Sequence, residues 1–199
     1  MSSLLGNNVT KGLIFIVSAP AGTGKTTLIE MLVKEFPQIV ASISFTTRKP
    51  REGEIDGIHY HFISEKEFKA KISSSDFLEY VKLYGTYYGT SKQWVREQQN
   101  LGKHVVLVID TQGAQEIKKE FAAFTVFIRP PSLEILKDRL MNRQTESLQV
   151  VEKRLEWAKV ELEAAKEYDY HVINDNLNTA FEVLKSIVIA ECHRNRQNI

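Results

Sequence analysis

Short blocks of consecutive apolar residues alternate along this chain with segments whose apolar positions recur every three or four residues. Leu13–Ser18, Val105–Asp110 and Phe124–Ile128 are brief and continuous, the pattern of strands buried on both faces. His171–Ile173 is a short strand, and Phe77–Leu83 also reads as a strand. Between them the period lengthens. Thr26 opens a helix whose face carries Leu28, Leu32 and Val33, stopped by Pro37. Ser64-Glu65-Lys66-Glu67 is a capping box, so a helix follows with Phe68 and Ile72 on one face. Further helices are predicted from Ser91 to Leu101, ended by Gly102, and from about Gly113 to Glu120. Another runs from an N-cap at Ser132 through about Met141. The last two span about Gln149 to Lys166 and Leu177 to Arg194.

Strands alternating with helices predict an α/β fold, a parallel sheet with helices on both faces. Ile39–Asp56 mixes a short strand with a basic, Pro- and Gly-containing run, Tyr84–Tyr88 is aromatic and interrupted by Gly85, and the stretch from about Ser42 to Gly89 breaks the rhythm. It reads as an inserted subdomain. We therefore expect one domain over 11–199, with a core of 11–41 and 92–199, an insert of about 42–91, and a lid of about 139–154 around the polar run Asn142–Leu148.

Composition narrows the class. The chain has 199 residues, 43% of them hydrophobic and 26% charged, an ordinary globular mixture. Its 26 Lys and Arg against 25 Asp and Glu give a net charge of +1, without the basic excess of a nucleic-acid binder. Cys192 is the single cysteine, which excludes an internal disulfide and fits a reducing, cytoplasmic setting. The apolar runs fall far short of a membrane span, and Met1–Thr10 carries no signal-peptide core, so no membrane association is expected. Five histidines make no metal-ligand spacing, and Trp94 and Trp157 read as core residues on helices.

The strongest chemical signal is Ala19-Pro20-Ala21-Gly22-Thr23-Gly24-Lys25-Thr26, followed by Thr27. It fits the phosphate-loop pattern with Ala in the first position. Glycines let backbone amides turn inward around phosphate oxygens, and the loop opens a helix whose N-terminus favours negative charge. Lys25 would reach the β- and γ-phosphates and the Thr26 hydroxyl would ligate Mg²⁺. A second constellation is Ser44-Phe45-Thr46-Thr47-Arg48-Lys49-Pro50-Arg51, where two arginines three apart could grip a phosphate bidentately.

From about Lys11 to Cys192 the chain resembles the guanylate kinase family, with the family's blocks in order. Ser44–Arg51 is similar to S-x-T-T-R-x-P-R, and Glu52-Gly53-Glu54 through His59-Tyr60 to G-E-x-x-G-x-x-Y. Phe77-Leu78-Glu79 and Tyr87-Tyr88-Gly89-Thr90 resemble F-[IL]-E and N-Y-Y-G-[ST]. Asp110-Thr111-Gln112-Gly113 resembles I-D-x-Q-G, and Val172-Ile173-Asn174-Asp175 resembles V-I-V-N-D. The resemblance implies phosphoryl transfer from ATP–Mg²⁺ to GMP. Arg48, Arg51, Tyr60 and Tyr88 would hold the GMP phosphate. Glu79 would accept the two guanine donors, N1–H and the exocyclic amine, while Ser44 and Thr90 donate to O6. Asp110 would support Mg²⁺ or contact GMP, Asn174 would border adenine, and Arg139, Arg143 and Arg154 would sit on the lid, the last two stabilising the transferring group. The oligomeric state, including a homo-oligomer, stays open.

Three positions depart from the family pattern: Val108 where an acidic residue is common, Asn142-Arg143-Gln144 where Gly-Arg-Gly is usual, and Ala21 where Ser is common. Two other readings compete. One is a non-catalytic module of the same fold, against which Lys25 and Thr26 argue. The other is a kinase for a different nucleoside monophosphate, against which Glu79, Ser44 and Thr90 argue.

Overall fold

The computed structural model describes residues 2–5, 11–83, 85–142 and 148–195. Five parallel strands form the main sheet in the order β2-β7-β1-β8-β9: Ile14–Ser18 (β1), Ile39–Ala41 (β2), His104–Val108 (β7), Phe124–Arg129 (β8) and Tyr170–Ile173 (β9). Every residue of β1 is buried, because both sheet faces are covered. Phe15 and Val17 point to one face with Leu28, Leu32, Val126 and Leu184, beneath helices α1 (Lys25–Glu35) and α7 (Leu177–Cys192). Ile14 and Ile16 point to the other with Val95, Leu107 and Ile117, beneath α3 (Lys92–Asn100) and α4 (Thr111–Glu120). The continuous apolar runs in the sequence are thus strands buried on both faces.

The insert folds on a sheet of its own, ordered β4-β3-β6-β5: Phe45–Thr46 (β3), His61–Phe62 (β4), Phe77–Leu83 (β5) and Thr86–Ser91 (β6). The segment expected to be broken at Gly85 is instead the turn and return strand of a β5–β6 hairpin, with Gly85 at φ 80°. A left-handed turn residue is what Gly supplies at little steric cost. The Ser64–Glu67 capping box forms and starts α2 (Glu65–Ser73). Phe68 on that helix stacks on Phe77 with ring centroids 4.4 Å apart and on Tyr87 at 5.2 Å, pinning helix to sheet. Gly89 is tight here, because an added Cβ would lie 3.0 Å from both Phe68 and Phe77.

Helices α5 (Leu133–Asn142) and α6 (Leu148–Ala164) pack on each other through Leu136, Leu140, Val151 and Ala158. The predicted long helix ends earlier than expected, relaxing into a 3₁₀ turn over Ala165–Glu167. Arg143 and Gln144 lie outside the described residues.

Candidate active site

The phosphate loop leaves β1 at Ala19, at the carboxyl end of the sheet. The Ser18 hydroxyl donates to the Ile109 carbonyl over 2.7 Å, locking the end of β1 to the chain leaving β7. Thr23 folds back, its hydroxyl donating to the Pro20 carbonyl at 2.8 Å. Gly22 and Gly24 take φ values of 88° and 84°, the left-handed region that a side chain would strain. Gly24 caps α1 without any side-chain hydrogen bond, so the first amides of the helix stay open to an anion. The loop is braced from behind by Asn174, whose amide donates to the Thr23 carbonyl over 2.7 Å. Asn174 is therefore a support of the phosphate loop, and its buried amide faces the loop backbone.

One cavity of about 520 Å³ joins this loop to the insert. Ala21 and Lys25 line it from the loop, Ser44, Arg48, Arg51, Tyr60, Glu79 and Tyr88 from the insert, and Val108 and Asp110 from the end of β7. Arg154 enters from α6. Thr26 and Thr27 are exposed on the first turn of α1. Arg139, half-buried on α5, is not among the lining residues.

The insert side is organised by pairing. Arg48 meets Glu54 in a two-pronged ion pair, both N–O distances 2.8 Å. Its guanidinium lies over the Tyr60 ring, 5.3 Å from the centroid, and Tyr60 meets Tyr88 edge-on at 6.0 Å. The hydrogen bond from Arg48 holds the Glu54 carboxyl down at about 2. Deep in the cavity Glu79 is only 6% exposed. Burial raises its carboxyl to about 7, opposed by the Thr90 hydroxyl, which donates to Oε1 over 2.7 Å. Thr90 was expected to donate to a guanine O6. Its hydroxyl is instead committed to Glu79, so it orients the carboxylate.

Asp110 caps α4 through Oδ1, which accepts from the Gly113 amide at 2.9 Å, while Oδ2 is buried with no hydrogen-bond partner. Burial raises the Asp110 carboxyl, and the Gly113 amide and Lys25 pull it back down. Gly113 is required by packing: a Cβ there would lie 2.7 Å from Glu79 Oε2. Among the described residues Lys25 makes no side-chain hydrogen bond, its ammonium disfavoured by burial and supported by Glu161 and Asp110.

Sequence reasoning missed four features. Glu161, Lys153 and Trp157 on α6 also line the cavity, so Trp157 is a wall residue and not core. Glu161 lies seven residues beyond Arg154, two helical turns along one face, a spacing that could have linked them. The fourth is the apolar upper wall, Val81 and Leu83 of β5.

A strand–loop–helix turn of phosphate-loop form, facing an insert that presents two arginines across one cavity, is the arrangement of a P-loop kinase of small molecules. The guanylate kinase family profile matches residues 11–191, and the chain belongs to that family, whose members phosphorylate GMP using ATP. It is 64% identical over 191 residues to a guanylate kinase of Protochlamydia amoebophila (strain UWE25), spanning 96% of this chain and 97% of that one. It is 51% identical to a guanylate kinase of Chlamydia trachomatis serovar D, over 91% of this chain and 89% of that one. The crystal structure of guanylate kinase from Anaplasma phagocytophilum superposes with a TM-score of 0.77 at 29% identity, covering 94% of this chain and 89% of its own.

Proposed function

We propose that the protein transfers the γ-phosphoryl group of ATP to GMP, giving ADP and GDP, with both substrates in the cavity between the phosphate loop and the insert. The observation that carries this reading is that a single cavity is lined at one end by Lys25 and at the other by Arg48, Arg51 and Glu79. ATP lies along residues 19–27, its phosphates on the open amides of α1 and on Lys25. GMP lies on the insert: Arg51, Arg48, Tyr60 and Tyr88 take its phosphate, and Glu79 takes the guanine donors, with Ser44 near O6. Adenine would present a ring acceptor to Glu79 and leave it unpaired, which costs about 1–3 kcal/mol or more.

Arg154, with Arg143 on the lid, neutralises charge on the group in flight, and closure of the lid excludes water that would hydrolyse ATP. Mg²⁺ fits the residues present. Asp110 offers a buried oxygen with no partner, and Thr26 offers an exposed hydroxyl on the first helical turn. Such a metal takes most of its ligands from water and phosphate, in keeping with the absence of any cluster of three metal-ligating side chains among the described residues. When bound it would neutralise phosphate charge. One chain supplies both subsites, so transfer needs no second copy. Nucleic acid has no place in this reaction, and cytoplasmic residence suits a kinase of free nucleotides. No helix among the described residues is long and apolar enough to cross a membrane.

The test is phosphoryl transfer from ATP–Mg²⁺ to GMP and to AMP, with wild type and Lys25→Ala. GMP alone should be phosphorylated, and the variant should lose transfer. Equal use of AMP would overturn the acceptor assignment. Nucleotide binding without transfer to either acceptor would favour the non-catalytic module.

A further inference from the structure

The carboxylate of Glu161 has no assigned task in this reaction, yet its placement is unusual. It is 7% exposed, on the inner face of α6, and lines the same cavity as Lys25 and Asp110. Among the described residues it makes no hydrogen bond and no ion pair within 4 Å. A buried carboxylate in that condition is costly unless a charge or ligand answers it. The charge that answers it across the cavity is Lys25, which among the described residues also has no hydrogen bond or ion pair: Glu161 is the larger of the two carboxylate influences that keep its ammonium charged, ahead of Asp110. Burial raises Glu161 to about 7 and Lys25 draws it down, while Asp110 pushes it up. The other polar group coupled to it is the Tyr168 hydroxyl, which donates to Ser18 Oγ over 2.7 Å and so leaves Glu161 unsatisfied.

We propose that Glu161 is a positioning residue for Lys25: it stands in for phosphate in the empty cleft and yields the ammonium to the nucleotide when ATP enters. This rests on Lys25 being the phosphate lysine. Two consequences follow from Coulomb's law in a partly desolvated site. Glu161 competes with phosphate for Lys25, and its charge opposes the incoming anion. Nucleotide affinity is therefore weaker than the loop alone would give, which favours release of ADP. Because α6 also carries Arg154, the same helix that brings a cation over the phosphates carries the anion that holds Lys25 ready.

The experiment is calorimetric binding of metal-free ATP and of adenosine at pH 8 to the full chain, comparing wild type with Glu161→Gln, Glu161→Met and Glu161→Asp. Removing the charge should tighten ATP binding about three- to tenfold, leave adenosine unchanged, and leave Glu161→Asp near wild type. A structural disturbance would weaken both ligands alike. The glutamine and methionine variants fail in different ways if folding suffers, so either one, folded by thermal melting, decides the matter. Unchanged or weaker ATP binding in a folded neutral variant overturns the proposal. Lys25→Met serves as the separate control: if it leaves ATP affinity intact, the phosphate-loop reading itself falls.

Discussion

The Thr90 hydroxyl donates to Glu79 Oε1 over 2.7 Å, across the β5–β6 pairing in which the two residues stand directly opposite. Side chains opposite each other on one face of an antiparallel pair are close enough for such a bond, so the hairpin register fixes the carboxylate. It also holds down a carboxyl that burial pushes up. Thr90→Val keeps the shape and removes the donor. Leaving the buried acceptor short of a bond costs about 1–3 kcal/mol. The KM for GMP should rise about tenfold with little change in kcat, measured at saturating ATP–Mg²⁺.

Glu79 also ties stability to pH. Its folded value of about 7 lies above the ordinary 4.5 because of burial. Between those values the folded protein keeps a proton that the unfolded chain has released. Stability should therefore fall as pH rises from about 4.5 to 7, and the full cost, on the order of 3 kcal/mol, persists above that. Glu161 adds to the same trend. Glu79→Gln should melt higher than wild type at pH 8, with the gap closing by pH 5, while its kcat/KM for GMP drops about 10²-fold or more. A wild-type melting temperature that climbs from pH 5 to pH 8 would contradict this account.

GMP recognition should follow the same titration in the opposite sense. The guanine donors need the ionised carboxylate. The KM for GMP in wild type should rise as pH falls below about 7, and Glu79→Gln should lose that dependence. Initial rates across pH 5.5 to 8.5 with fixed ATP–Mg²⁺ measure it.

Gly113 and Asn174 test the supports. A methyl at Gly113 would sit 2.7 Å from Glu79 Oε2. Gly113→Ala should displace the carboxylate and raise the GMP KM severalfold, even though alanine is the better helix former. Asn174→Ala removes the bond to the Thr23 carbonyl and opens a buried gap behind the loop. We expect a loss of about 1–3 kcal/mol in stability and weaker ATP binding, with GMP affinity unaffected. Denaturant melts and titrations with each nucleotide separate the two effects.

The amino-acid sequence by itself determined burial patterns and those features whose partners are near along the chain. The apolar runs marked four of the five strands of the main sheet, because consecutive apolar residues demand burial whatever strand they pair with. The Ser64–Glu67 box set the start of α2 and the glycines at 22 and 24 marked the phosphate loop, because these rest on hydrogen bonds or backbone angles within a few residues. The ordered blocks from Ser44 to Asn174 also marked the family. Only the tertiary structure decided which of the polar residues meet. Asn174 finds Thr23 across 151 positions, and Tyr168 finds Ser18 across 150. A glutamate on a helix is ordinarily solvated, so apart from its seven-residue spacing from Arg154 nothing local distinguishes Glu161 from its neighbours on α6. A tryptophan at helical spacing looks the same whether it fills a core or walls a cavity, as Trp157 does. Threonine opposite glutamate, glycine against carboxylate and lysine near two acids are set by strand register and by the packing of α6 on α5 beside the cavity, and those follow from closing long stretches of chain around three apolar clusters.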